Sequence, residues 1–139
     1  VATGAIGIAA LVAHQLELPM IYVRSSAKEH GRQNLVEGIL GKGQKVVIVE
    51  DLISTGMSSL KAVQSVKECQ GEVLGMSAIF TYGLNIAKDA FLKEECNLIT
   101  LGDYSNLISS LKDSNYFDSN EISALENWRE SPKTWKGLI

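Results

Sequence analysis

The run Val46-Val47-Ile48-Val49 constrains this chain more than any other stretch. Side chains of a strand alternate between the two faces of a sheet, so four consecutive β-branched apolar residues call for burial on both sides. A parallel sheet covered on both faces meets that demand. The run continues into Glu50 and Asp51, then Leu52-Ile53 and the small, hydroxyl-rich Ser54-Thr55-Gly56-Met57-Ser58. One polar residue is enough to let a buried strand turn at its end, so the second acid is surplus to folding.

The flanking sequence repeats the same logic. The spacing of Ile8, Leu11, Val12 and Leu16 predicts a helix over 7–16, ended by Pro19, and "MIYVR" (20–24) reads as a short buried strand. Residues 25–34, "SSAKEHGRQN", contain no large apolar side chain and are expected to form an exposed, mobile loop. "NLVEG" reads as a short strand and 41–44 as a turn, and the strand proper is predicted over 45–50. A helix over 58–70 follows, with Leu60, Val63, Val66 and Cys69 on one stripe and Gly71 as its cap. Then come a strand over 72–82, a helix over 85–94, a strand over 97–101, a helix over 104–112 and a terminal helix over 121–130 stopped by Pro132. Alternating strands and helices imply an α/β fold, a doubly wound, mostly parallel sheet flanked by helices. At 139 residues one domain, 1–139, is expected.

Bulk properties narrow the function. A net charge of -3 argues against a nucleic-acid binder that works by blanket phosphate neutralisation, and no apolar run approaches the ~20 residues that span a bilayer. Cys69 and Cys96 match neither a metal nor a redox spacing, so packing thiols in a reduced, cytoplasmic setting are expected. "GKGQK" lacks the spacing of a Walker loop and reads as a turn. His14, Tyr116, Trp128 and Trp135 read as packing residues.

In an open α/β sheet, ligands gather at the carboxyl ends of the strands, where Glu50 and Asp51 are expected. The segment 54–58 leads into a helix, so its amides and hydroxyls can converge on an anion at the positive end of the helix dipole. Acids beside such a cradle would repel a bare phosphate. A ribose 5-phosphate resolves the conflict: the cradle takes the phosphate, and the carboxylates accept from sugar hydroxyls and stabilise positive charge developing on the sugar. The competing reading is that the hydroxyls merely cap the helix.

"VVIVEDLISTGMS" resembles the phosphoribosyl pyrophosphate (PRPP) motif of the type I phosphoribosyltransferases. "RSSAKEHG" is similar to the catalytic loop of the orotate phosphoribosyltransferases within that family, with Arg24, Lys28, His30 and Gly31 at the matching positions. The resemblance implies transfer of a phosphoribosyl group from PRPP to orotate, giving orotidine 5'-monophosphate and pyrophosphate in pyrimidine (UMP) synthesis. It assigns Glu50, Asp51, Leu52, Ile53, Ser54, Thr55, Gly56, Met57 and Ser58 to PRPP, Ser54 also to orotate, and Arg24, Lys28 and His30 to pyrophosphate. Lys28, His30 and Asp51 would be catalytic. "VATGAIGIA" resembles the family's pyrophosphate turn, with Gly4 and Ala5 in contact. Mg²⁺ is the implied cofactor, reaching Glu50 and Asp51 through PRPP and water rather than by direct ligation. A homodimer is implied, with the loop 25–34 completing the neighbouring site.

This chain carries no lysine at Gly4 and no basic residue at Ser25, where some family members have phosphate cations, and no arginine near Gly83, where many relatives have one for the orotate carboxylate. Family chains extend further at the N-terminus, where they form a hood over the base, so a truncated chain is expected. Two alternatives remain open: a purine phosphoribosyltransferase, and a PRPP-sensing regulator without catalysis.

Overall fold

The computed structural model describes residues 1–26, 35–114 and 116–135. In chain order the elements are α1 (Ile6–Gln15), β1 (Tyr22–Val23), β2 (Val36–Glu37), β3 (Lys45–Ile53), α2 (Met57–Glu68), β4 (Glu72–Thr81), α3 (Asn85–Lys93), β5 (Leu98–Asp103), α4 (Tyr104–Lys112) and α5 (Ser119–Glu130). β3, β4 and β5 form a parallel sheet in that order, and β1 pairs with β2 as a small antiparallel ribbon. The expected parallel sheet flanked by helices is present.

One face of the sheet carries the main core. Ile48, Met76 and Ala78 meet Leu60 and Val63 of α2 and Ala87 and Phe91 of α3. A register shift between Val46 and Val47 leaves Leu74 as an extra residue, and the alternation beyond it aligns Ile48 with Met76 and Glu50 with Ala78 on the helix-covered side. A second cluster joins Ala62 and Val66 of α2 to Val23 and Val36 of the ribbon. It fastens β1 and β2 against α2 and the start of β3.

The demand for cover on both faces is met only in part. On the opposite face Val47 is 56% exposed, and Leu74, Ile79, Ile99 and Leu101 are exposed with it. Among the described residues α1 lies along β3 there, turning Ile6, Ala9, Val12, Ala13 and Leu16 toward an apolar cleft of about 420 Å³. The helix period read from the sequence is right and its face is displaced, since Leu11 points to solvent. The strand expected over 20–24 is two residues long, with only Val23 buried in it.

At the far end, Tyr104 and Ile108 of α4 pack with Ile122 of α5, and Phe80, Tyr82 and Trp128 close the cluster. Tyr82 and Trp128 meet edge to face with centroids 5.0 Å apart, and the Tyr104 hydroxyl donates to the Leu125 carbonyl. Trp128 is thus a packing residue as expected. Tyr116, His14 and Trp135 are exposed instead. α5 starts before the expected Glu121 because Asp118 and Glu121 form a reciprocal capping box. The 41–44 turn closes by the Gln44 amide donating to the Gly41 carbonyl. Among the described residues no helix is long and apolar enough to cross a membrane.

Candidate active site

β3 runs through both acids to Ile53, because Leu52 and Ile53 still pair with Phe80 and Thr81. Glu50 and Asp51 are therefore strand neighbours, and strand neighbours point to opposite faces. Glu50 turns toward α2, is 5% exposed and accepts from the Ser59 hydroxyl at 3.0 Å. Asp51 turns the other way, half-buried beneath the turn that precedes α1. The two side chains leave the strand on different sides, Glu50 buried on Ser59 and Asp51 half-buried under the turn, and both still border one cleft.

The turn over Asp51 is built by backbone ties. The Ala2 amide donates to the Val23 carbonyl and the Ile6 amide to the Thr3 carbonyl, while Ala5 is fully buried at the start of α1. A Cβ built on Gly4 would overlap Oδ2 of Asp51. Only glycine lets the backbone come this close to the carboxylate as it stands.

Beyond β3 the chain passes Ser54 and Thr55 and reverses at Gly56, which has φ +80 and serves as N-cap of α2. No side chain caps this helix. Among the described residues the hydroxyls of Ser54, Thr55 and Ser58 form no hydrogen bond within the chain, so they are not spent on capping. The first amides of α2, together with exposed Ser54, Met57 and Ser58, leave donors open at the positive end of the helix. That is the physical requirement for holding a phosphate. Ile53 is fully buried in the core and Leu52 is partly exposed, so Ile53 can contribute only through its backbone. Its carbonyl already accepts from the Tyr82 amide and the Thr81 hydroxyl.

A cleft of about 190 Å³ joins these parts, bounded by residues 1–4, Arg24 and Ser25, Glu50 to Leu52, and Ser58, Lys61 and Ala62 of α2. Arg24 follows β1, its amide donating to the Leu35 carbonyl, its guanidinium 3.4 Å from Glu37. Both ends of the 25–34 connection are thereby held at the cleft. Lys28, His30 and Gly31 lie outside the described residues.

Sequence reasoning missed two residues here. Ser59 is the buried partner of Glu50, and Lys61 donates across the cleft to the Ser25 carbonyl at 3.1 Å. Burial raises the Glu50 carboxyl above its ordinary value and the Asp51 side chain adds to the rise, while the Ser59 hydroxyl pulls the other way. A carboxyl raised on folding binds more protons in the native state, so stability falls as pH rises through the interval between its unfolded and folded values. Glu50→Gln removes that titration. As pH rises from the ordinary carboxylate range upward, the melting temperature of the variant is expected to gain on the wild type; a pH-independent difference would contradict the buried, protonation-favouring site.

Residues 1–100 match the model of the phosphoribosyl transferase domain. The chain belongs to the phosphoribosyl transferase family. An orotate phosphoribosyltransferase of Phocaeicola vulgatus is 49% identical over 136 residues, which is 98% of this chain and 64% of that protein. Among solved structures, orotate phosphoribosyltransferase from Aeropyrum pernix superposes with a TM-score of 0.73 at 29% identity, covering 83% of this chain and 64% of that one. The Mycobacterium tuberculosis orotate phosphoribosyltransferase in complex with PRPP gives a TM-score of 0.57 at 30% identity, over 72% and 57% of the two chains. This phosphoribosyl transferase chain spans about 64% of the length of the curated relatives it matches. The family match takes in the turn over Asp51, Arg24, β3, the 54–58 loop and Lys61.

Proposed function

We propose that the protein is an orotate phosphoribosyltransferase, converting orotate and PRPP to orotidine 5'-monophosphate and pyrophosphate. The observation that carries this reading is the half-identity to orotate enzymes along nearly the whole chain. Its site geometry supplies a physical reason. The open donors of 54–58 suit the 5'-phosphate, and Asp51, facing the cleft, suits the ribose hydroxyls. As the bond from the anomeric carbon to the diphosphate oxygen breaks, positive charge grows on the sugar and Asp51 opposes it. A ring nitrogen of the base, giving up its N–H proton to the released pyrophosphate or to water, forms the new bond to that carbon, and pyrophosphate leaves with the bonding pair.

Glu50 acts on this arrangement from beneath, fixed by Ser59. Ser54 contacts both the 5'-phosphate and the base. Arg24 and, beyond the described residues, Lys28 and His30 are assigned to the pyrophosphate, where cations can neutralise departing charge. Among the described residues no cluster of three or more His, Cys, Asp or Glu is placed to hold a metal. The donors at hand, a half-buried Asp51 beside a buried Glu50, fit a hydrated Mg²⁺ that takes most of its ligands from substrate oxygens and water. When bound, Mg²⁺ supplies charge neutralisation at the diphosphate and ribose oxygens. A single core domain over 1–139, cytoplasmic and working as a homodimer, completes the proposal.

The test is direct. Protein, PRPP and Mg²⁺ are incubated with orotate, adenine or hypoxanthine, and pyrophosphate release is followed. Release with orotate and not with the purines is expected. Turnover of a purine alone would reassign the base, and PRPP binding without turnover of any base would favour a sensing module.

A further inference from the structure

We propose that Lys61 is a diphosphate-binding residue of this site, which rests on the reading that the site takes PRPP. The cleft beside Asp51 is walled by residues 1–4, Arg24, Ser25 and Lys61, and Ser54 to Met57 are not among its lining residues. The 5'-phosphate cradle and the cleft thus meet at Ser58 and are otherwise bordered by different residues. A ribose seated at Asp51 with its 5'-phosphate in the cradle turns its other substituent, the diphosphate on the anomeric carbon, into the cleft.

Among the described residues, the charges in that cleft offer the diphosphate few free partners. Glu50 and Asp51 repel it. Arg24 is already shared with Glu37 at 3.4 Å. Lys61 differs: its ammonium extends off α2 and donates to a neutral backbone carbonyl, that of Ser25, at 3.1 Å.

Nothing on its own helix accounts for this reach. The positions three and four residues away are Met57, Ser58, Gln64 and Ser65, so no acid is spaced to pair with it along α2. Lys61 and Ser25 are both exposed. Exchanging the Ser25 carbonyl for a phosphate oxygen replaces a neutral acceptor by a charged one, and the carbonyl it releases returns to water at little cost. Lys61 enters the diphosphate's surroundings without any rearrangement of the fold.

The experiment measures binding by calorimetry in the presence of Mg²⁺ for three probes: PRPP, inorganic pyrophosphate and ribose 5-phosphate. Lys61→Ala is expected to weaken PRPP and pyrophosphate by about 10- to 100-fold, the range of a hydrogen bond to a charged group, and to leave ribose 5-phosphate within about twofold. Lys61→Arg should keep most of the affinity, and the orotate assay should show the Lys61→Ala effect chiefly in KM for PRPP. Unchanged pyrophosphate affinity in Lys61→Ala, with the wild type binding PRPP normally, would overturn the assignment of Lys61 alone. Equal losses for ribose 5-phosphate and pyrophosphate would also overturn it, marking a structural role. A wild type that binds no PRPP would overturn the reading of the whole site, and Lys61 with it.

Discussion

Asp51→Asn is expected to lower kcat/KM for PRPP by about 10²- to 10³-fold while leaving the fold intact, the scale seen when one group opposing transition-state charge is removed. The substitution keeps the shape and deletes the charge. The Leu52 amide donates to Oδ1 of Asp51 at 3.0 Å, and an asparagine oxygen can accept the same bond. The turn over the carboxylate is held by the backbone ties of Ala2 and Ile6, not by the acid. Melting temperature should therefore move by only a few degrees, roughly the response to 1 kcal/mol or less. The comparison with Glu50→Gln sharpens the point, because Glu50 faces the interior and is bonded to Ser59. If the two acids have the roles their faces suggest, the Asp51 variant loses turnover at unchanged stability, while the Glu50 variant changes the pH dependence of stability first. Pyrophosphate-release kinetics beside thermal melts would decide it, and an Asp51→Asn enzyme within about threefold of wild type would remove the central claim about this site.

Periodicity made much of this legible. The run 46–49 announced a parallel sheet, and the helix over 104–112 falls on the residues its apolar spacing selects. Failures have physical causes. Nothing local says that Leu52 and Ile53 pair with Phe80 and Thr81, so the sequence ends β3 three residues early and hides that Glu50 and Asp51 are strand neighbours on different sides. The start of α5 was missed although Asp118 and Glu121 stand at capping-box spacing. Ser59 bonds to Glu50 across nine residues and Lys61 to Ser25 across thirty-six, contacts that depend on how α2 lies over β3 and beside β1. Motif reading found the residues that chemistry requires by type; the residues that hold or supplement them became visible only through packing.

Gly56 is where packing and chemistry meet most tightly, and Gly56→Ala is expected to be the most destabilising single change at the site. Two separate terms oppose a methyl group there. The backbone has φ +80, a left-handed conformation that costs an L-residue roughly 1–2 kcal/mol. The new Cβ would also stand 2.9 Å from Cε2 of Phe91. Phe91 is buried in the main core and cannot swing clear, so overpacking adds about 1–3 kcal/mol. The combined loss would lower the melting temperature by roughly 10–20 °C in a domain of this size. Phe91→Leu separates the terms. Trimming the ring removes the clash but not the strained backbone, so the double variant should recover about 1–2 kcal/mol relative to additive losses and still bind PRPP poorly, because the amides of the 54–58 loop keep their altered direction. Strict additivity in a double-mutant cycle would show that Phe91 does not press on this position. Recovery of PRPP affinity together with stability would show that the loop needs only space, and not the left-handed turn, to hold its phosphate.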